Sequence, residues 1–146
     1  MDSTQAQAAS VEELRQIASN LLSSLKPGMV IGLSGQLGVG KTTFIKALAE
    51  FLGIQDAVIS PTYVYHQSYE LPQSIAGIRR LHHLDLYRIH SDSDFAALDL
   101  SVDDPQGVVF IEWIEQVPQI AAAADLTVSF SLRDGVRTLT FDWRQR

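Results

Sequence analysis

The chain has 146 residues, 46% hydrophobic and 19% charged, with a formal net charge of −6 and no cysteine. That length fits one domain whose core needs no staples, and the missing cysteines exclude disulfide scaffolds, thiolate metal sites and cysteine nucleophiles. The acidic balance argues against stand-alone nucleic-acid binding, and no apolar run approaches the ~18 residues of a membrane span.

Met1 to Ser10 are uncharged apart from Asp2, so no secretory signal is expected there and the protein is expected to be cytoplasmic. Residues 1–9 are expected to be a flexible tail. Ser10 and Glu13 then make a capping box, and Val11, Leu14, Ile17, Leu21, Leu22 and Leu25 recur at helical spacing until Lys26-Pro27-Gly28 stops them. Met29 to Leu33 is a short apolar run suited to a strand buried on both faces. Phe44, Ile45, Leu48, Phe51 and Leu52 mark a second amphipathic helix, ended by Gly53. Tyr63 to Tyr69 and Arg79 to Leu86 predict a hairpin whose loop contains Pro72 and Gly77. Asp92 to Leu100 predicts a short helix, and Val108 to Ile111 a second apolar strand bounded by Gly107 and Glu112-Trp113. Leu126, Val128, Phe130 and Leu132 alternate with polar residues, and Asp134-Gly135 turns the chain into Val136 to Trp143. No internal repeat or linker interrupts this order. The pattern predicts one α/β domain over residues 1–146, with a buried parallel core and antiparallel additions.

A strong chemical signal is Gly35-Gln36-Leu37-Gly38-Val39-Gly40-Lys41-Thr42, which satisfies G-x-x-x-x-G-K-[ST] at every fixed position. Gly35, Gly38 and Gly40 let the backbone curl so that successive N–H groups point at phosphate oxygens. The helix starting near Lys41 adds its positive dipole end. Lys41 would neutralise β- and γ-phosphates, and Thr42 would offer its hydroxyl to magnesium.

Hydrolysis or phosphoryl transfer also needs a carboxylate at the end of a neighbouring strand to hold magnesium. Glu112 closes the run Val108-Val109-Phe110-Ile111 and is the expected Walker B acid. Asp85 is the second candidate; its spacing to Arg88 also suits a salt bridge. Ser60-Pro61-Thr62 is either an ordinary turn or the mobile γ-phosphate-sensing loop often found there in P-loop proteins. His82 and His83 could serve as acid or base, although packed strand histidines are commoner. Trp113 suits a core position more often than a contact. Arg79, Arg80 and Arg88 are either phosphate clamps or solvated side chains.

Taken in order, Gly35 to Thr43, Ser60-Pro61-Thr62-Tyr63, His83-Leu84-Asp85-Leu86-Tyr87-Arg88 and Glu112-Trp113 resemble the TsaE family. These are the small ATPases of bacterial tRNA threonylcarbamoyladenosine synthesis. The resemblance runs from about Ser10 to Trp113, and its H-x-D-L-Y-R and S-P-T-[YF] strings are more specific than the phosphate loop. It implies a P-loop fold: a central parallel sheet, helices on both faces and flanking antiparallel strands. It also implies that ATP or ADP is bound by Gly35, Gly38, Val39, Gly40, Lys41, Thr42 and Thr43, and that Lys41, Glu112 and Asp85 serve catalysis. Thr42, Glu112 and Asp85 become the Mg2+ side, Ser60 to Thr62 the switch loop, and Trp113 a neighbour of the nucleotide. The adenine end is expected near Val11 and near the last hairpin, at Arg137. Val39 replaces a residue that is usually smaller, and Gln36 one that is often acidic.

The implied activity is Mg2+-dependent ATP hydrolysis, weak alone and raised by the TsaB–TsaD complex that transfers threonylcarbamoyl to tRNA. Stable tRNA binding by the chain itself and membrane binding are not expected. Two rivals remain at this stage: a small-molecule P-loop kinase, and a non-catalytic nucleotide-dependent interaction module.

Overall fold

Ser10 caps the first helix as its sequence requires. In the computed structural model, which describes residues 3–36, 38–56, 58, 65–100 and 102–144, the Ser10 side chain accepts from Glu13 N at 3.1 Å. Glu13 reaches back to Ala9 N, and the helix, α1, runs Val11–Leu21 before a 3₁₀ turn at Leu22–Ser24. The segment ahead of it departs from expectation. Ser3–Ala8 is not a flexible tail but a strand, β1. It pairs antiparallel with the last strand of the chain, from Ser3↔Asp142 to Ala8↔Arg137. Its Ser, Thr, Gln and Ala residues carry no strong β pattern, so the strand owes its existence to backbone pairing with a partner more than a hundred residues away.

Strand β2, Val30–Ser34, leads to helix α2, Lys41–Phe51. Strands β3, His66–Ile75, and β4, Ile78–Asp85, form the expected hairpin. Its turn is shorter than predicted: Ala76 and Gly77 both have positive φ, the geometry of a two-residue hairpin turn. Pro72 therefore lies inside β3, where the register shifts between Glu70 and Ile75. A proline is tolerated there because β3 is an edge strand. Helix α3 is Asp92–Ala97, and strand β5 is Gly107–Glu112. A 3₁₀ turn at Ile114–Gln116 and helix α4, Pro118–Ala123, follow. Strands β6, Leu126–Arg133, and β7, Val136–Trp143, close the chain around Asp134-Gly135.

The seven strands form one sheet in the order β1-β7-β6-β2-β5-β4-β3. Its centre, β6-β2-β5-β4, is parallel, and its flanks are antiparallel. Alternation along β5 assigns the two faces. Val108 and Phe110 join Leu14, Ala18 and Leu21 of α1 and Phe44, Ile45 and Leu48 of α2 in one core. Val109 and Ile111 join Phe95 of α3, Ile114 and Val117 in the other, with Ile120 and Ala121 of α4 packed against it. The expected α/β architecture, with helices on both faces and flanking antiparallel strands, is the observed one. Among the described residues no helix is long and apolar enough to cross a membrane.

Candidate functional site

In a parallel α/β sheet, ligands bind beyond the carboxyl ends of the strands. Here those ends gather the motif residues. The chain leaves β2 at Ser34, curls through a glycine-rich loop and enters α2 at Lys41. Gly40, the residue before α2, has φ 104°. A Cβ there would meet Arg137 Nε and Leu14 Cδ2, each at 3.1 Å, so glycine is required by both conformation and space. Helix α2 has no side-chain cap, which leaves its first-turn N–H groups without a capping side-chain acceptor.

Lys41 is buried and donates to Gly35 O, within its own loop. Its ammonium also lies 3.6 Å from the centroid of the Trp113 ring. Burial pushes this lysine below its usual range, while Glu112, Glu115 and Asp85 oppose the shift. Thr42 Oγ1 donates to the Glu112 carboxylate, 3.1 Å from Oε1 and 3.0 Å from Oε2. Glu112 and Asp85 are paired neighbours at the ends of β5 and β4, and both are buried. Asp85 Oδ1 accepts from Tyr87 N at 2.9 Å, which turns the chain sharply after β4.

Trp113, directly after Glu112, has φ 61°, an unusual conformation for a large side chain. The turn brings its ring over Lys41 and 4.9 Å from the Tyr87 ring. Arg137, from β7, donates to Val39 O at 3.0 Å and so ties the C-terminal hairpin to the phosphate loop.

These groups surround a cleft of about 260 Å³ lined by Gly38, Gly40, Lys41, Thr42, Thr43, Asp85, Tyr87, Glu112, Trp113 and Arg137. Val39 is buried and does not line it, and Gly35 offers its carbonyl to Lys41. Val11 is exposed at the start of α1 and does not line this cleft. Ser60, Pro61 and Thr62 lie outside the described residues.

Two contacts escaped sequence reasoning. Glu115 accepts from Gly35 N at 3.3 Å, from a turn without any motif. His83 Nε2 lies 2.5 Å from Glu112 Oε2, and its ring is fully buried. The second had a signal: His83 is two residues before Asp85, so in a strand both point to the same face.

Comparisons with known proteins identify the family. The family described as "Threonylcarbamoyl adenosine biosynthesis protein TsaE" matches residues 8–139. The tRNA threonylcarbamoyladenosine biosynthesis protein TsaE of Bacillus subtilis is 41% identical over 115 residues, covering 74% of this chain and 67% of that protein. Its counterpart in Mycobacterium leprae is 35% identical over 141 residues, covering 91% and 86%. The crystal structure of Bacillus subtilis YdiB superposes with a TM-score of 0.69 at 32% identity, covering 96% of this chain and 84% of that one. A family match across nearly the whole chain, carried by a fold with a phosphate loop at the sheet's carboxyl edge, leads to one statement: the chain belongs to the TsaE family of threonylcarbamoyl adenosine biosynthesis proteins.

Proposed function

We propose that the chain binds and hydrolyses ATP with Mg2+ in this cleft. In this reading it acts as a cytoplasmic switch on the TsaB–TsaD complex during threonylcarbamoyl modification of adenosine in tRNA. One observation carries the reading: Lys41, Thr42, Asp85 and Glu112, from three separate chain segments, line a single cleft at the mouth of the phosphate loop.

The donor set fits Mg2+. Thr42, Asp85 and Glu112 offer hard oxygen atoms, and Mg2+ usually takes one or two carboxylates plus phosphate oxygens. Among the described residues no group of three or more His, Asp or Glu could hold a metal alone, so phosphate oxygens would complete the shell. Bound there, the ion would neutralise charge on the β- and γ-phosphates.

The chain's own groups bind and orient. Loop N–H groups and the start of α2 hold the phosphates. Lys41 exchanges its bond to Gly35 O for phosphate oxygen, and its partial desolvation makes that pairing stronger than in water. Arg137 keeps the loop in its curled form through Val39 O. The Trp113 and Tyr87 rings wall one side of the cleft and limit water.

The test is ATP turnover in Mg2+ by wild type, Lys41→Ala and Glu112→Ala, with phosphoryl transfer to nucleosides and sugars followed in the same reactions. Hydrolysis lost in both variants supports the reading; hydrolysis unchanged in both sinks it. Transfer exceeding hydrolysis would favour a kinase. Nucleotide binding without turnover, even beside TsaB–TsaD, would favour an interaction module.

A further inference from the structure

Glu112 is held from two directions. Thr42 Oγ1 donates to its cleft side, 3.1 Å from Oε1 and 3.0 Å from Oε2. His83 Nε2 meets Oε2 from inside the sheet at 2.5 Å. His83 sits beside Phe110 in the β4–β5 ladder, one pleat before the pair Asp85↔Glu112, so its ring reaches forward along the sheet to the carboxylate. It is fully buried, so no solvent competes for that bond. A carboxylate can only accept, which places the ring's hydrogen on Nε2. Among the described residues the other ring nitrogen, Nδ1, has no partner, so Glu112 is the ring's one hydrogen-bonding role.

We propose that His83 is a positioning residue: its Nε2–H fixes the Glu112 carboxylate in the orientation from which it serves Mg2+–nucleotide. The inference rests on the Mg2+–nucleotide reading above. Glu112 has three rotatable side-chain bonds, and holding it before the ligand arrives removes an ordering cost from binding. Partners that orient a metal-side carboxylate in this way characteristically contribute 10- to 100-fold to metal affinity. The bond is worth most where His83 lies, because low local dielectric strengthens it and excludes water as a substitute.

The alternative is that His83 only fills the core, and the two differ in what depends on Mg2+. Equilibrium binding of a fluorescent ATP analogue, in excess Mg2+ and in excess EDTA, separates them for wild type, His83→Leu, His83→Gln and His83→Asn. Glutamine carries an N–H donor at the reach of Nε2, whereas the asparagine amide stands one bond short, at the level of Nδ1. His83→Leu and His83→Asn are expected to lose about 10- to 100-fold of the Mg2+-dependent gain in affinity. Affinity in EDTA should be unchanged, and His83→Gln should keep most of the gain.

A full wild-type gain in His83→Leu overturns the assignment. So does an equal loss in His83→Gln and His83→Asn, or a loss in EDTA that matches the loss in Mg2+. Should His83→Leu fail to fold, judged by thermal melting, the Gln–Asn pair makes the same comparison. A wild type with no Mg2+-dependent gain would instead contradict the Mg2+–nucleotide reading itself, and this assignment with it.

Discussion

Lys41 is poised rather than free. Its ammonium is bonded to Gly35 O and covered by the Trp113 ring 3.6 Å away, so a phosphate must displace a carbonyl to reach it. A charge-assisted bond of that kind contributes about 1.5–3 kcal/mol. Lys41→Ala is therefore expected to weaken ATP binding by about 10- to 100-fold, measured by calorimetry, without lowering the melting temperature by more than a degree or two. At this scale the motif residues were legible because each sits at a fixed spacing from a glycine or a strand end. Asp85 needed the H-x-D-L-Y-R resemblance, since its spacing alone suited a salt bridge equally well. His83 was legible only as a possible acid or base, not as a partner of Glu112, and Glu115 was not legible as a site residue. Their partners, Glu112 and Gly35, are 29 and 80 residues away in sequence, and only strand pairing brings them within bonding distance.

Elements with a strong internal pattern were readable: α1 from its cap and apolar stripe, β5 from its unbroken apolar run, β6 and β7 from alternation around Asp134-Gly135. β1 and α4 were not, for different reasons. β1 is polar and gains its order from β7, while α4 is one turn and a half of alanine-rich chain whose only start signal is Pro118. Packing between elements also bears on the site. A Cβ on Gly32 of β2 would fall within the Ile114 side chain, with Ile114 Cγ2 at 2.8 Å and Cβ at 3.1 Å. Ile114 opens the 3₁₀ turn directly after Trp113. Gly32→Ala is expected to cost about 1–3 kcal/mol by overpacking, read from denaturant unfolding. It should also shift Trp113, changing the fluorescence response to nucleotide. An unchanged unfolding midpoint would show that the turn yields freely.

Across the whole molecule the two faces of the sheet carry different chemistry. The α1–α2 face leads to the phosphate loop. On the opposite face His66 Nε2 lies 3.0 Å from His82 Nδ1, and His82 Nε2 lies 2.7 Å from Asp104 Oδ2. Arg80 forks onto the same carboxylate at 2.7 and 2.9 Å. The bonds from Arg80 first, then from His82 and Gln106 N, hold Asp104 far below the usual carboxylate range. Burial, with His82 and His83 nearby, holds His66 below the usual histidine range. Both groups bind protons more readily when unfolded, so stability should rise with pH through their range. The Asp104 contribution is complete above the unfolded carboxylate value of about 4 and fades as pH falls below it. The melting-temperature gap between wild type and Asp104→Asn should therefore be steady from pH 7 to 5 and narrow below about pH 4; a constant gap down to pH 3 would contradict the network. The acidic chain, with its cleft at the carboxyl ends of the central strands, suits the proposed action through partners. Hydrolysis without an arginine in cis or in trans can be as slow as about 10⁻⁴ s⁻¹ in related P-loop switches. The direct measurement is the steady-state rate of Mg2+–ATP hydrolysis by this chain alone and with added TsaB–TsaD. A slow basal rate raised at least about tenfold by the pair, and abolished by Lys41→Ala, is the expected result; equal rates with and without the pair would contradict it.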